Sequence, residues 1–498
     1  MTIENAFHYY SIGNRGGRIE MNEKAIPIKF GTDGWRGIIA DDFTVPNVRY
    51  CAQSLAEYLL ASGQAGKGFV IGYDTRFASE RFAAAAAEVL AGNGIKVALC
   101  STAVPTPFIS FAVVHEKAAG AIVITASHNP GDWNGFKIKT SDGASAPTEV
   151  EREVESRLPE IFASERVRRV PLEKALAEGL VRHLAISPAY DRRMLDLVDI
   201  QAIKDAGLTV AVDSMFGAGI GHFARILAGG KTRVKEIHGE RNPVFPGMKQ
   251  PEPIAKNLGE LCAFVPKVGA DVGLATDGDA DRIGMVDEKG RPLTPLQIFA
   301  LLALYLLEVR GERGAIVKTL TTTSMLNKLG VMYNVPVFET KVGFKYVAPL
   351  MLKHNALIGG EESSGFGFRN HIPERDGILA GLCLLDLMAK TGKRPSELIE
   401  HLYRKVGPHH YHRVDIEYPA EQRQTIVSRL KENLPSKLNG IAVSRVNTED
   451  GYHFLLSDGS WLLIRFSGTE PLLRIYSEAP SLEAAKALIA AGREILKV

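Results

Sequence analysis

The sequence has few cysteines and almost no net charge, and both shortages narrow what the protein can be. Its four cysteines are far apart in 498 residues and form no Cys-x-x-Cys pair, which favours reduced, buried thiols in a cytoplasmic protein. Lysine and arginine number 59 against 57 for aspartate and glutamate, so the net charge of +2 points to neither a nucleic acid nor an anionic membrane. An anionic ligand must therefore meet a local cluster of cations. The cysteines are Cys51, Cys100, Cys262 and Cys383.

Long apolar runs are also missing. The longest, Ile298–Leu307, is too short to span a bilayer, and the first thirty residues lack the apolar segment of a signal peptide. We therefore expect no membrane partner. Residues 1–27 are predicted to form an N-terminal extension, because residues 1–20 are polar and show no periodicity. We expect this part either to be a disordered tail or to precede a natural start at Met21.

Short apolar runs that end in polar loops recur along the chain, and a helical pattern follows each loop. This alternation predicts three related α/β domains with parallel or mixed sheets. After about residue 406 the apolar residues alternate as they do in antiparallel strands, which predicts a separate C-terminal α+β domain. The predicted domains are 28–185, 186–295, 296–406 and 407–498.

Residues 119–137 contain the first of these strand ends. The run Ala121–Ile124 is rich in β-branched residues and predicts a buried strand, which Asn129-Pro130 then interrupts. Ser127 thus follows the carboxyl end of a strand, where open α/β sheets place reactive groups. Its hydroxyl could form a turn, cap a helix or act as a nucleophile.

Three aspartates at alternate positions follow another predicted strand, at Asp277, Asp279 and Asp281. They offer hard oxygen ligands only, which favours Mg²⁺ or Ca²⁺ over zinc. An extended strand would hold alternate residues too far apart to share one ion, so the segment must curl, and we expect Gly278 to supply that freedom. An EF-hand loop is disfavoured, because Arg282 stands where that loop needs glycine. A solvated acidic turn is the structural alternative.

Two further loops offer groups that suit a sugar phosphate. The segment Gly360–Ser363 places two carboxylates and a serine after a strand, as a reader of sugar hydroxyls or as a plain turn. Residues 465–469 combine a guanidinium, two hydroxyls and a glycine, which suits a phosphate dianion or an ordinary hairpin. His128 next to Ser127 does not predict a Ser-His hydrolase, because neighbours on an extended chain point in opposite directions. Together these loops supply what metal-assisted phosphoryl transfer on a polyol phosphate requires.

Seven segments in order make the chain resemble the α-D-phosphohexomutase family, most of all the bacterial phosphoglucomutase/phosphomannomutase enzymes. The resemblance implies four domains in a heart shape around a central cleft. It also implies that Ser127 carries a phosphoryl group, which passes to a hexose monophosphate and returns from a bisphosphorylated intermediate. The segments are FGTDGWRG (30–37), TASHNP (125–130), NGFK (134–137), DGDADR (277–282), TKVGFKY (340–346), GEESSG (360–365) and RFSGTEP (465–471).

The resemblance further implies a role for each matching residue. Mg²⁺ would be held by the three aspartates of 277–281 and by a phosphate oxygen on Ser127. The groups around the reacting phosphate would be Arg36, His128, Lys137 and Arg282, with Lys137 a candidate proton carrier. The residues implied to bind substrate elsewhere in the cleft are Lys341, Glu361, Ser363, Arg375, Arg465, Ser467, Gly468 and Thr469.

Two departures from the family's patterns bear on the substrate and on proton transfer. Many phosphomannomutases have a histidine after the sugar loop, whereas Gly365-Phe366 stands here, as in phosphoglucomutases. A lysine often stands where this chain has Arg375, and arginine is a poor proton donor near neutral pH.

We therefore expect interconversion of glucose 1-phosphate and glucose 6-phosphate, with Mg²⁺ as cofactor and glucose 1,6-bisphosphate as activator and intermediate. Phosphomannomutase, phosphoglucosamine mutase or phosphopentomutase activity is the alternative, and a non-catalytic sugar-phosphate-binding protein is the alternative of another class. The partner would be a small hexose phosphate. The sequence leaves monomer and homodimer open.

Overall fold

Residues 28–31, 33–185, 187–419, 421, 423–432, 434–466 and 472–496 are described by a computed structural model. The predicted extension, residues 1–27, lies outside these residues. Within them no helix is both long and apolar enough to cross a membrane.

The first domain contains a six-stranded mixed sheet in the order β1-β5-β4-β2-β3-β6. Strands β2, β3, β4 and β6 are parallel, whereas β5 runs antiparallel to both β4 and β1. The glycine-rich segment 31–37 partly forms β1, because the backbone of Trp35, Arg36 and Gly37 pairs with β5. The elements are β1 (Trp35–Ile38), α1 (Val45–Ala61), β2 (Phe69–Tyr73), α2 (Ser79–Gly92), β3 (Val97–Cys100), α3 (Thr106–Glu116), β4 (Gly120–Ile124), β5 (Trp133–Thr140), α4 (Thr148–Glu155), α5 (Leu158–Ser164), α6 (Leu172–Ala177) and β6 (Val181–Leu184).

The second domain repeats the arrangement with four strands in the order β10-β9-β7-β8. Its three parallel strands are flanked by an antiparallel strand, β10, which returns directly from the loop that carries the three aspartates. The elements are α7 (Ser187–Leu197), α8 (Ile200–Asp205), β7 (Thr209–Asp213), α9 (His222–Ile226), β8 (Arg233–Ile237), α10 (Gly259–Lys267), β9 (Val272–Thr276) and β10 (Ile283–Val286).

The third domain has the order β12-β11-β13-β14, again with one antiparallel strand after a polar loop. Its helix α14 is apolar around most of its circumference, and it joins the large core that the first three domains share. The elements are α11 (Pro295–Leu304, continued by a π-helical turn), β11 (Ile316–Thr319), α12 (Met325–Met332), β12 (Val337–Thr340), α13 (Phe344–His354), β13 (Ile358–Gly360), β14 (Phe366–Phe368), α14 (Gly377–Thr391) and α15 (Pro395–Val406).

The C-terminal domain differs from the others, since its six strands form an antiparallel sheet in the order β15-β20-β19-β18-β17-β16. It has a separate apolar core beneath α16 and α17. The prediction of three mixed α/β domains followed by an α+β domain is thereby confirmed. The elements are β15 (His410–Glu417), α16 (Arg423–Glu432), β16 (Lys437–Leu438), β17 (Ile441–Asn447), β18 (Tyr452–Leu456), β19 (Trp461–Phe466), β20 (Leu472–Ala479) and α17 (Leu482–Leu496).

Candidate active site

The loop that carries Ser127 is held in shape by one buried guanidinium, that of Arg76. Ser127 itself has a left-handed backbone, with φ at 52°, which a side chain adopts only under local constraint. Arg76 pairs with Asp74 at 3.2 Å and lies over the ring of Phe245 in the second domain. Such a convergence of carbonyl dipoles on one cation fixes the loop before any ligand arrives. Arg76 donates hydrogen bonds to the carbonyls of Ser127 (2.7 Å), Asn129 (2.6 Å), Pro130 (2.6 Å) and Trp133 (3.0 Å).

The hydroxyl of Ser127 points at the aspartate cluster of the second domain. Its Oγ donates to Oδ2 of Asp277 at 3.0 Å and lies 3.3 Å from Nδ1 of His128. Close approach of the two loops depends on Gly278, because a Cβ there would lie 2.4 Å from the carbonyl oxygen of Ser127. The left-handed residue of the aspartate loop is Ala280, with φ at 55°. The expectation that Gly278 supplies the curl is therefore wrong, and its lack of a side chain serves the contact instead.

The three aspartates form a buried set of oxygens of the size that one divalent cation needs. One ligand atom from each of Asp277, Asp279 and Asp281 lies within 4.8 Å of the others, and all three side chains are buried. Oδ1 of Asp279 and both carboxylate oxygens of Asp281 receive no hydrogen bond from the described residues, which is costly at a buried site. Burial raises the pKa of Asp277, and the neighbouring carboxylates of Asp281 and Asp279 raise it further. A hard cation would satisfy these oxygens and relieve their mutual repulsion.

Lys137 extends from β5 toward the same cluster. Its Nζ lies 3.0 Å from Oδ2 of Asp279 and 2.9 Å from Oδ2 of Asp33. Burial opposes its charge, yet the carboxylates of Asp279 and Asp33 hold the pKa of Lys137 above its ordinary value. Thr106 donates a further hydrogen bond of 2.7 Å to Asp279. Lys137 is therefore a protonated ammonium beside the aspartate cluster.

Arg375 brings the third domain to the cluster. Its guanidinium lies 2.8 Å from Asp281, 3.3 Å from Asp33 and 3.6 Å from Glu361. Burial opposes the charge of this guanidinium, but Asp281 and Glu374 raise the pKa of Arg375 well above its ordinary value. Arg375 is thus a permanent cation, suited to binding oxygen anions and unsuited to releasing a proton.

The remaining predicted groups at the reacting end lie around this centre. Arg36 donates to Oδ1 of Asn129 at 2.6 Å. Arg282 lies 3.1 Å from Glu252 and 3.8 Å from Asp277. Burial lowers the pKa of His128 well below its usual range, and the guanidiniums of Arg282 and Arg36 lower it further. The imidazole of His128 is consequently neutral, so it can bind a phosphate oxygen only as a hydrogen-bond donor.

The predicted sugar-binding loop (360–365, the sugar loop) lies against the loop that carries the three aspartates (277–282, the aspartate loop), because Gly365 forms a β-bridge with Arg282. Glu361 accepts a 3.0 Å hydrogen bond from the backbone N–H of Gly343, and burial raises the pKa of its carboxyl. Ser363 is partly buried in the same loop.

The C-terminal domain brings Arg465 next to the loop that carries Lys341. Nε of Arg465 donates to Asp450 at 3.0 Å, and Asp450 also accepts the backbone N–H of Val342 at 2.9 Å. The other predicted phosphate-loop residues, Ser467, Gly468 and Thr469, lie outside the described residues.

Several residues of the centre escaped the sequence reasoning. Asp33 stands within FGTDGWRG, a segment that supports the family resemblance, but its contact with two cations becomes visible only in three dimensions. Arg76 could have been found, because it follows β2, the sheet neighbour of β4, at the same strand-end edge as Ser127. The residues missed are Asp33, Arg76, Lys139, Glu252, Glu374 and Asp450.

The fold and the site define a four-domain α/β protein in which a serine hydroxyl, three carboxylates and several cations suit a metal ion and a phosphate. The four domain models described as phosphoglucomutase/phosphomannomutase α/β/α domains I, II and III and C-terminal domain match residues 27–165, 188–290, 294–406 and 425–495. The chain belongs to the phosphoglucomutase/phosphomannomutase family of the α-D-phosphohexomutase superfamily.

Similar proteins span nearly the whole length of the chain. A phosphoglucomutase/phosphomannomutase of Thermococcus kodakarensis is 34% identical, over 94% of this chain and 98% of its own. A phosphoglucosamine mutase of Carboxydothermus hydrogenoformans is 32% identical, over 90% of this chain and 94% of its own. A crystal structure of a Thermus thermophilus protein described as a phosphomannomutase superposes with a TM-score of 0.82 at 36% identity, and covers 95% of this chain and 99% of that one.

Proposed function

We propose that this protein interconverts hexose 1-phosphates and hexose 6-phosphates, with glucose phosphates as the preferred pair. The observation that carries the proposal is the buried hydroxyl of Ser127, which lies 3.0 Å from a carboxylate of the aspartate cluster to which Lys137 and Arg375 are ion-paired. Phosphoryl transfer depends mostly on positioning and on charge neutralisation, and this centre offers both.

In the proposed reaction Ser127 is phosphorylated. The sugar hydroxyl forms a bond to phosphorus as the bond from phosphorus to Oγ breaks, and a second transfer returns the other phosphate to Ser127. Lys137, the candidate proton carrier, would give a proton from its ammonium to the seryl oxygen and regain one from the sugar hydroxyl. Arg36, Arg282 and neutral His128 would hold oxygens of the reacting phosphate.

Mg²⁺ is the cation that we propose for Asp277, Asp279 and Asp281, whose hard oxygens include three that receive no hydrogen bond from the described residues. When bound there, it would neutralise charge on the phosphate that Ser127 carries.

Substrate binding is proposed for residues of the third and C-terminal domains. Glu361 and Ser363 would bind sugar hydroxyls, and Lys341, Arg375 and Arg465 would bind oxygens of the substrate. The same role is proposed for Ser467, Gly468 and Thr469.

The choice of glucose depends on the GEESSG form of the sugar loop, without the histidine that follows it in many phosphomannomutases. The second candidate is phosphoglucosamine mutation, because the Carboxydothermus relative carries that name at 32% identity.

A coupled assay on a panel of sugar 1-phosphates tests the proposal. With Mg²⁺ and a trace of glucose 1,6-bisphosphate, we expect kcat/KM to be highest for glucose 1-phosphate among the glucose, mannose, glucosamine and ribose compounds. The Ser127→Ala variant should lose at least about 10³-fold in kcat, because it lacks the group that carries the phosphate. The control Ser164→Ala removes an exposed hydroxyl from α5 and should leave kcat unchanged.

Two results would contradict the proposal. A higher kcat/KM for glucosamine 1-phosphate than for glucose 1-phosphate would support phosphoglucosamine mutation instead. Sugar-phosphate binding without turnover in both the wild type and Ser127→Ala would establish a non-catalytic binding protein.

A further inference from the structure

The carboxylate of Asp450 joins the third domain to the C-terminal domain. Asp450 lies in the turn between β17 and β18 of the C-terminal domain. Its Oδ1 accepts a hydrogen bond from Nε of Arg465 at 3.0 Å, within its own domain. Its Oδ2 accepts the backbone N–H of Val342 at 2.9 Å, from the loop before α13 in the third domain. One side chain therefore fixes a guanidinium and spans the domain boundary.

The turn is shaped for this contact by the next residue, Gly451. Its φ of +109° belongs to a region that other residues rarely adopt. A Cβ at Gly451 would lie 2.6 Å from the carbonyl oxygen of Ile464 and 3.2 Å from Cα of Arg465. The turn thus packs directly against the backbone of Arg465, which places the Asp450 carboxylate beside that guanidinium.

The geometry of the hydrogen bond between Arg465 and Asp450 affects how Arg465 can bind a phosphate. Because Asp450 accepts from Nε, its hydrogen bond fixes the plane of the Arg465 guanidinium without engaging the terminal nitrogens. A guanidinium with a fixed plane loses less conformational entropy when it binds an oxyanion. The side chain of Arg465 is only 14% exposed, so few rotamers are open to it once the bond forms.

A second contact connects the same two domains independently of Asp450. Glu362, in the sugar loop, accepts hydrogen bonds from Tyr411 at 2.8 Å and Arg413 at 3.2 Å, both on β15 of the C-terminal domain. The C-terminal domain therefore keeps a contact with the third domain when Asp450 is changed, so the effect of Asp450 on Arg465 can be measured in a folded protein.

We propose that Asp450 is a positioning residue that orients Arg465 toward the substrate and makes this orientation depend on the contact between the C-terminal domain and Val342. The inference rests on the proposed function, in which Arg465 binds the non-reacting phosphate of the hexose phosphate. Lys341 precedes Val342, so the same bond also sets where that lysine enters the cleft. Asp450 itself touches no reacting atom.

Steady-state kinetics of Asp450→Asn test the proposal. We expect the KM for glucose 1-phosphate to rise about 10- to 100-fold, the range expected for a hydrogen bond to a charged group, while kcat stays within about threefold. Gly451→Ala, which moves the turn but keeps the carboxylate, should raise KM in the same way. The matched control is Glu449→Gln, the neighbouring exposed carboxylate, which should leave both constants unchanged.

Three results would overturn it: an unchanged KM, a loss confined to kcat, or the same rise in Glu449→Gln. Hydrogen exchange at the amide of Val342 gives a readout that needs no activity, and Asp450→Asn should lose protection there whereas Glu449→Gln should not. If no sugar phosphate is turned over by the wild type, the proposed function fails and the exchange still reports the contact. If turnover is normal and the exchange at Val342 does not change, the positioning proposal alone fails.

Discussion

At the scale of single residues, the three aspartates of 277–281 lack hydrogen bonds that buried carboxylates normally receive. Each is buried, and three of their oxygens receive no hydrogen bond from the described residues. Buried carboxylates in this condition cost free energy of folding unless a cation joins them. The sequence located these residues because alternate carboxylates after a strand form a local pattern. It could not locate Asp33, whose partners Lys137 and Arg375 lie 104 and 342 positions farther along the chain.

We predict that Mg²⁺ stabilises the folded protein. Millimolar MgCl₂ added to EDTA-treated protein should raise the melting temperature by about 1–3 °C, because ligands that bind only the native state stabilise it by mass action. Asp277→Asn should lose most of this shift in a thermal unfolding assay, because it removes a carboxylate from the set. Asp41→Asn, an exposed aspartate of the first domain, is the control and should respond like the wild type. Equal shifts in all three proteins would contradict the metal assignment.

At the scale of secondary-structure elements, the site forms where loops that follow strands of different sheets come together. The sequence predicted the loops after β4, β9 and β13, because apolar runs that stop at polar residues are visible in one dimension. The approach distance between the loops was not visible. The role of Gly278 illustrates the difference, since its importance comes from the carbonyl of Ser127, 151 positions earlier, and not from its own backbone angles.

We predict that Gly278→Ala separates the serine loop from the aspartate loop. The added Cβ would lie 2.4 Å from the backbone oxygen of Ser127, so one loop must shift, and mutase activity should fall by at least about 10²-fold. The far-ultraviolet circular dichroism spectrum should stay that of the wild type. Gly66→Ala is the control, because a Cβ there meets nothing within 4 Å and activity should be kept. Full activity in Gly278→Ala would show that the close approach is not needed.

Across the whole molecule, the first and third domains are joined by buried charges. Lys139 on β5 pairs with Glu374, and both side chains are fully buried. Ser145 donates a further hydrogen bond of 2.9 Å to Glu374. The order and class of the four domains could be predicted, since they follow from the succession of strands and helices. This buried pair could not, because no local pattern pairs two residues that lie 235 positions apart.

We predict that Glu374→Gln lowers the stability of the joined domains by about 3–5 kcal/mol, because it leaves the ammonium of Lys139 buried without its carboxylate. The melting temperature of the transition that includes both domains measures the loss. The double variant Lys139→Met, Glu374→Leu should recover part of it. Glu116→Gln, which breaks an exposed pair with Arg182, is the control and should cost no more than about 1 kcal/mol. A similar loss in both single variants would contradict the importance of burial.

The contacts of Arg76 affect how the protein can discriminate between water and a sugar hydroxyl as phosphoryl acceptors. Four peptide oxygens converge on its guanidinium, whose other face rests on an aromatic ring of the neighbouring domain. The segment that bears Ser127 is therefore held in place by contacts from two domains, and none of these contacts involves a phosphate. Because Ser127 is fixed in this way, discrimination between water and a sugar hydroxyl must depend on the residues that face it from the other domains.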